Sequence, residues 1–134
     1  MKRLLLSFFV LTAVSFTQTD VSGIISSNTT WSLANSPYIV TGNVLVSEGV
    51  TLSIENGVTV RFDAGKVLYV YGELIAQGTD GTEITFTSNE SSPSAGDYGL
   101  IKFFDSAVDA SFDGSTSTVL IKTAGEYDYM AYQT

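Results

Sequence analysis

Four aspartates, Asp97, Asp105, Asp109 and Asp113, cluster in a chain that has no histidine and no cysteine. Carboxylates are therefore the groups on which acid–base chemistry would rest, with Lys, Tyr and Ser as the other available side chains. The missing residue types exclude a Ser-His-Asp triad, a Cys-His nucleophile, a thiolate zinc site and an imidazole base. Glycosidic hydrolysis would require two carboxyls about 5 to 10 Å apart with separated pKa values, and Lys102 is the only base near the cluster. Asp97, Asp105 and Asp109 are the catalytic candidates. The competing reading is that they are solvated turn residues, since Asp is favoured in turns by local hydrogen bonding. Asp109-Ala110-Ser111-Phe112-Asp113-Gly114 offers Asp109 and Asp113 as calcium-ligand candidates, without the alternating acids and distal Glu of an EF-hand. No other cofactor is expected.

Tyrosines supply a second kind of chemistry. Tyr69 and Tyr71 are spaced by two, so on a strand both point to one side and Val70 to the other. With Tyr127, Tyr129 and Tyr132 they could form an aromatic face for glycans, or pack against a loop or a neighbouring chain; Val67, Leu68 and Val70 leave the inward side open. Acids outnumber bases 14 to 6, for a net charge of −8. Beyond residue 3 the only bases are Arg61, Lys66, Lys102 and Lys122, and binding nucleic-acid phosphate needs clustered cations, so no nucleic-acid partner is expected. Asn28-Thr29-Thr30 and Asn89-Glu90-Ser91 fit the N-glycosylation pattern, which matters only in a eukaryotic secretory pathway.

The N-terminus reads as an address. Lys2 and Arg3 precede the apolar run Leu4 to Val14, and small or polar residues follow through Thr19. That order predicts a cleaved secretory signal over residues 1–19, cut near Ala13-Val14-Ser15 or closer to Gln18. The run is too short to span a bilayer, which takes about 20 apolar residues. Losing Lys2 and Arg3 leaves 14 acids against 4 bases, net −10, suited to a secreted or cell-surface protein with no membrane span after cleavage. Stability must then come from packing and backbone pairing, since no disulfide can form.

What would position these residues is a regular beat of short strands. Gly42, Gly49, Gly57, Gly65 and Gly72 are spaced by 7, 8, 8 and 7. Between them, Val50/Leu52/Ile54 and Val58/Val60/Phe62 alternate with polar residues, so one face of each strand is buried. Glu55-Asn56-Gly57 and Asp63-Ala64-Gly65 are turns that tolerate positive φ. No helical periodicity follows Thr19, and the chain reads as all-β. Hairpin-type dipeptides fall mainly at 56–57, 80–81 and 113–114, too far apart for a meander of hairpins. Strands grouped in threes give coils from about Tyr38 to Gly57, Val58 to Glu83 and Ile84 to roughly Gly114, with Val40, Val60 and Phe86 stacked, and Val46 on Val70. A period of roughly 20 to 30 residues is that of a solenoid. The Ser-rich stretch Asn89 to Asp97, with Pro93 and Gly96, is expected to be a surface loop.

The run Ser36-Pro37-Tyr38-Ile39-Val40-Thr41-Gly42-Asn43-Val44, then Gly49-Val50-Thr51-Leu52-Ser53-Ile54-Glu55-Asn56-Gly57-Val58, then Leu74 to Thr79, Ile84 to Ser88 and Gly96 to Ile101, resembles the opening coils of secreted bacterial right-handed parallel β-helix proteins, the pectate-lyase-like superfamily. The resemblance covers about residues 28 to 127. It implies a right-handed parallel β-helix of three to four coils over 38–134. It also implies that carbohydrate-active members would use Asp groups as acid, base or calcium ligands. Members are usually far longer, so the chain, ending at Thr134 inside an apparent strand, is expected to be the opening of a longer protein.

The first coil of such a solenoid would expose its core and strand edges unless covered. Residues 20–37, with Ile24, Ile25, Trp31 and Leu33, lack the glycine beat and are expected to fold over that end as a cap, Trp31 packing rather than presenting a sugar platform. Two readings of function follow. One is a non-enzymatic exported β-helix segment of a structural, adhesive or glycan-binding surface protein, with an extracellular glycan or another surface protein as partner. The alternative is a fragment of a polysaccharide lyase or glycoside hydrolase of the same fold. Ice binding through Thr51, Thr59 and Thr85 is disfavoured, because they form no Thr-x-Thr ladder.

Overall fold

The Val, Ile and Thr side chains of the alternating segments are stiff at χ1 and pack well on a pleated surface, which favours strands wherever one face can be buried. The computed structural model describes residues 17–79, 81–94, 96–97, 100–104, 106 and 119–121. Among these, ten strands follow one another: β1 Thr19–Ile25, β2 Thr29–Trp31, β3 Tyr38–Val46, β4 Thr51–Ile54, β5 Thr59–Phe62, β6 Leu68–Val70, β7 Glu73–Ala76, β8 Ile84–Ser88, β9 Ile101–Phe103 and β10 Val119–Ile121. A single 3-10 turn, Leu33–Asn35, interrupts them.

Every strand pairing is parallel and joins one coil to the next. β3 serves two neighbours: Tyr38–Val40 pair with β5, and Val44–Val46 pair with β6. Its two halves, with the two halves of β1, head two columns of strands, continued by β5 and β8 on one side and by β6 and β9 on the other. β2, β4 and β7 form the third column as a separate sheet. The result is a parallel β-solenoid of about three turns. Thr51 lies opposite Glu73 and reaches it 22 positions on, whereas Leu68 meets Ile101, 33 positions on. Coil length therefore grows along the chain.

Register places like faces on top of one another. Trp31, Ile54 and Ala76 stack inward, as do Tyr38, Val60 and Phe86, and as do Val46, Val70 and Phe103. Phe62, Leu52, Leu68, Leu74 and Ile84 are fully buried in this core, each such side chain stabilising by about 1.5–3 kcal/mol relative to exposure. Val60 meets Phe86 and Val46 meets Val70 as expected. Val40, however, lies opposite Phe62, and the residue above Val60 is Tyr38. The two-residue difference preserves the inward face, because side chains alternate with period two.

The segment 20–37 meets the end of the core as a rung of the solenoid. β1 runs parallel to β3 as a rung of its own, with Thr19 opposite Tyr38 and Ile25 opposite Val46, and β2 lies on β4. The segment's own side chains close that end. Trp31, 3% exposed, stacks on Tyr38 with ring centroids 5.0 Å apart and planes 13° apart, and Val21 and Ile25 pack against the same core. The Tyr38 hydroxyl donates to the Ser32 carbonyl at 3.2 Å. Ile24 and Leu33, 71% and 53% exposed, point away from it.

Polar side chains tie the corners from coil to coil. Asn28 Oδ1, Ser36 Oγ and Asn43 Oδ1 accept the backbone N–H of Thr51, Thr59 and Val67 at 3.0, 3.0 and 3.1 Å. Gly57 and Gly65 take φ of +76° and +69° in their turns, the left-handed region that favours glycine.

Candidate functional site

In β6 the ambiguity of Val67-Leu68-Tyr69-Val70-Tyr71 is resolved by what lies inside. Leu68 and Val70 are fully buried between the rungs above and below, so the pleat sends Tyr69 and Tyr71 outward, where both are half-buried. The next coil carries Lys102 opposite Tyr69, and its Phe103, opposite Val70, points into the core, which brings Phe104 outward beside Tyr71. Tyr71 and Phe104 stack with centroids 3.9 Å apart and planes 7° apart, and Tyr69 lies tilted to Phe104 at 6.0 Å. The Lys102 ammonium sits 4.9 Å from the Phe104 ring centre, within cation–π range.

Backbone anchors hold this platform. The N–H groups of Tyr71 and Gly72 both donate to the Val46 carbonyl, at 2.9 and 3.3 Å, and Phe104 N–H donates to the Val70 carbonyl at 3.0 Å. Ser106 Oγ donates to the Tyr71 carbonyl at 3.1 Å. Gly72 is buried, and a Cβ there would stand 2.1 Å from the Val50 carbonyl oxygen and 2.3 Å from that of Ser47. Only glycine lets the chain pass so close, and that passage fixes where Tyr71 emerges. Rings held by strands in this way keep their geometry with little conformational freedom to lose on binding.

The carboxylates do a different job. Asp63 Oδ1 accepts from Asn89 Nδ2 at 2.8 Å, Glu55 Oε2 from Leu33 N–H at 2.8 Å and Glu73 Oε2 from Thr51 Oγ1 at 2.8 Å. Asp97 accepts from Ser94 N–H through Oδ2, and its own carbonyl accepts from Gly65 N–H. Asp97 thus closes the exposed loop Asn89 to Asp97 back onto the turn after β5. Asp105, Asp109 and Asp113 lie outside the described residues, as do Tyr127, Tyr129, Tyr132 and residues 1–16 of the expected signal. Among the described residues, no group of three or more acidic side chains is placed to hold a metal ion, and no helix is long and apolar enough to cross a membrane.

Sequence reasoning named Tyr69 and Tyr71 as an aromatic face, and Lys102 only as the base near the Asp cluster, and it missed Phe104. The signal was the pair of outward positions in Ile101-Lys102-Phe103-Phe104, unreadable until the long third coil fixed their register on β6.

Stacked parallel rungs around one apolar core make a parallel β-helix. The chain belongs to the pectate-lyase-like β-helix domain family, whose model matches residues 23–126. No curated protein and no solved structure matches it significantly.

Proposed function

We propose that the chain is an exported, non-enzymatic β-helix segment of a cell-surface or extracellular protein that binds a glycan through the Tyr69–Tyr71–Phe104 platform. The aromatic ladder carries this reading: three rings are held outward on adjacent rungs by a packed wall, and aromatic faces suit the apolar C–H surface of a sugar ring. The basic start and short apolar run before Thr19 support export. The alternative of a lyase or hydrolase draws on family membership and on Asp97, but that carboxylate is engaged by the loop's own backbone.

The test is a glycan microarray probed with the full chain and with Tyr71→Leu, beside an assay for unsaturated product released from polygalacturonate with calcium. Binding that falls in Tyr71→Leu, with no product formed, is the expected result. Product formation that depends on Asp97 would overturn the non-enzymatic reading.

A further inference from the structure

Resting on the reading that this platform binds glycan, we infer that its ligand is a neutral polysaccharide rather than an acidic one. Among the described residues the outer face here is largely apolar or aromatic: Ile24, Leu45 and Tyr69 follow one another on adjacent rungs before Lys102, and Tyr71 stands beside Tyr69 on the same rung. The first column offers no such run, because Asp20, Ile39, Arg61 and Thr87 succeed one another there. Among the described residues one cation, Lys102, stands at the platform, and its ammonium is directed onto the Phe104 ring. Phe104, engaged by both Tyr71 and Lys102, supports the cluster and covers one face of Tyr71, so the tilted Tyr69 ring and the other side of Tyr71 are what a ligand would meet.

Charge then decides between ligand classes. The chain carries a net −8, and that field repels a polyanion approaching any part of the wall. A polyuronate would bring a carboxylate for every sugar against the single Lys102, whereas a neutral chain meets no such cost. Recognition would rest on ring stacking and on hydrogen bonds from the tyrosine hydroxyls, neither of which is weakened by salt as charge pairing is.

The experiment titrates cellohexaose, xylohexaose and polygalacturonate into the full chain by calorimetry, at low and high salt, with Tyr69→Leu, Tyr71→Leu and Lys102→Gln alongside. Leucine keeps the apolar contact and removes the ring, and thermal melts on each variant establish that it folds. The expected result is that a neutral oligosaccharide binds at least about tenfold more tightly than polygalacturonate, without salt dependence. Its affinity should fall about two- to twelvefold in each Tyr variant, as loss of a stacking partner implies, and by less in Lys102→Gln, which removes only the cation–π contact to Phe104. Tighter, salt-sensitive binding of polygalacturonate that collapses in Lys102→Gln would overturn the neutral class and leave glycan binding standing. Neutral binding untouched by the Tyr variants would overturn the platform as its site. Binding of none of the three would overturn the inference together with the glycan reading beneath it.

Discussion

Two aromatic stacks, built from the same kinds of side chain, serve opposite faces of the wall. Trp31 and Tyr38 lie inside, at 3% exposure each, and join the third column to the first across a corner of the opening coil. Tyr71 and Phe104 lie outside, closer together and more nearly coplanar, and join one coil to the next. The side of the pleat on which a ring falls decides whether it closes the core or faces the surroundings, and register sets that side.

Removing each stack should expose this difference. Trp31→Ala should cost about 3–5 kcal/mol, the range for a large aromatic deleted from a core, read as a loss in urea midpoint at constant slope. That is a large share of the roughly 5–15 kcal/mol that holds a domain folded. Gly72→Ala should cost about 1–3 kcal/mol, because its Cβ would collide with the Val50 and Ser47 carbonyl oxygens. Since Gly72 anchors Tyr71, this variant should also weaken any ligand bound at the platform, which Trp31→Ala should not do beyond its effect on folding. Tyr71→Ala should cost about 0.5–1.5 kcal/mol in stacking with Phe104, visible as a melting shift of a few degrees. A comparably small effect is expected for Tyr38→Phe, which keeps the inner stack and gives up one hydrogen bond to the Ser32 carbonyl, worth about 1 kcal/mol. If Tyr71→Ala destabilised as much as Trp31→Ala, the outer stack would be part of the core and the contrast would fail.

Much of the wall was legible because period-two alternation is a local signal: Val50/Leu52/Ile54 and Val58/Val60/Phe62 sort themselves without reference to anything distant. Residues 20–37 were not, and the reason is physical. That coil carries one positive-φ glycine, Gly23, at the register break within β1, and makes its next corner with side chains, Asn28 accepting the Thr51 N–H and Thr29 Oγ1 donating to the Ser27 carbonyl, so it lacks the regular glycine spacing that marked later turns. Tyr69 and Tyr71 were recognised as sharing a side, but which side depends on Leu68 and Val70 being sandwiched between coils, a contact over 24 and 33 positions. Phe104 required the length of the third coil, which no local pattern carries.

The lengthening of successive coils bears on how this wall could be redesigned. Loop-closure entropy grows only with the logarithm of length, so going from a coil of 22 residues to one of 33 costs about 0.4 kcal/mol. The extra chain leaves the solenoid as the exposed stretch Asn89 to Asp97, pinned at its two feet by Asn89 to Asp63 and by Gly65 to Asp97. With both feet fixed, a foreign peptide spliced between Glu90 and Pro93 would hang from the rungs as from a bracket. The scaffold is thus a natural host for grafted epitopes, with the aromatic platform as an internal reporter that the rungs beneath remain undisturbed.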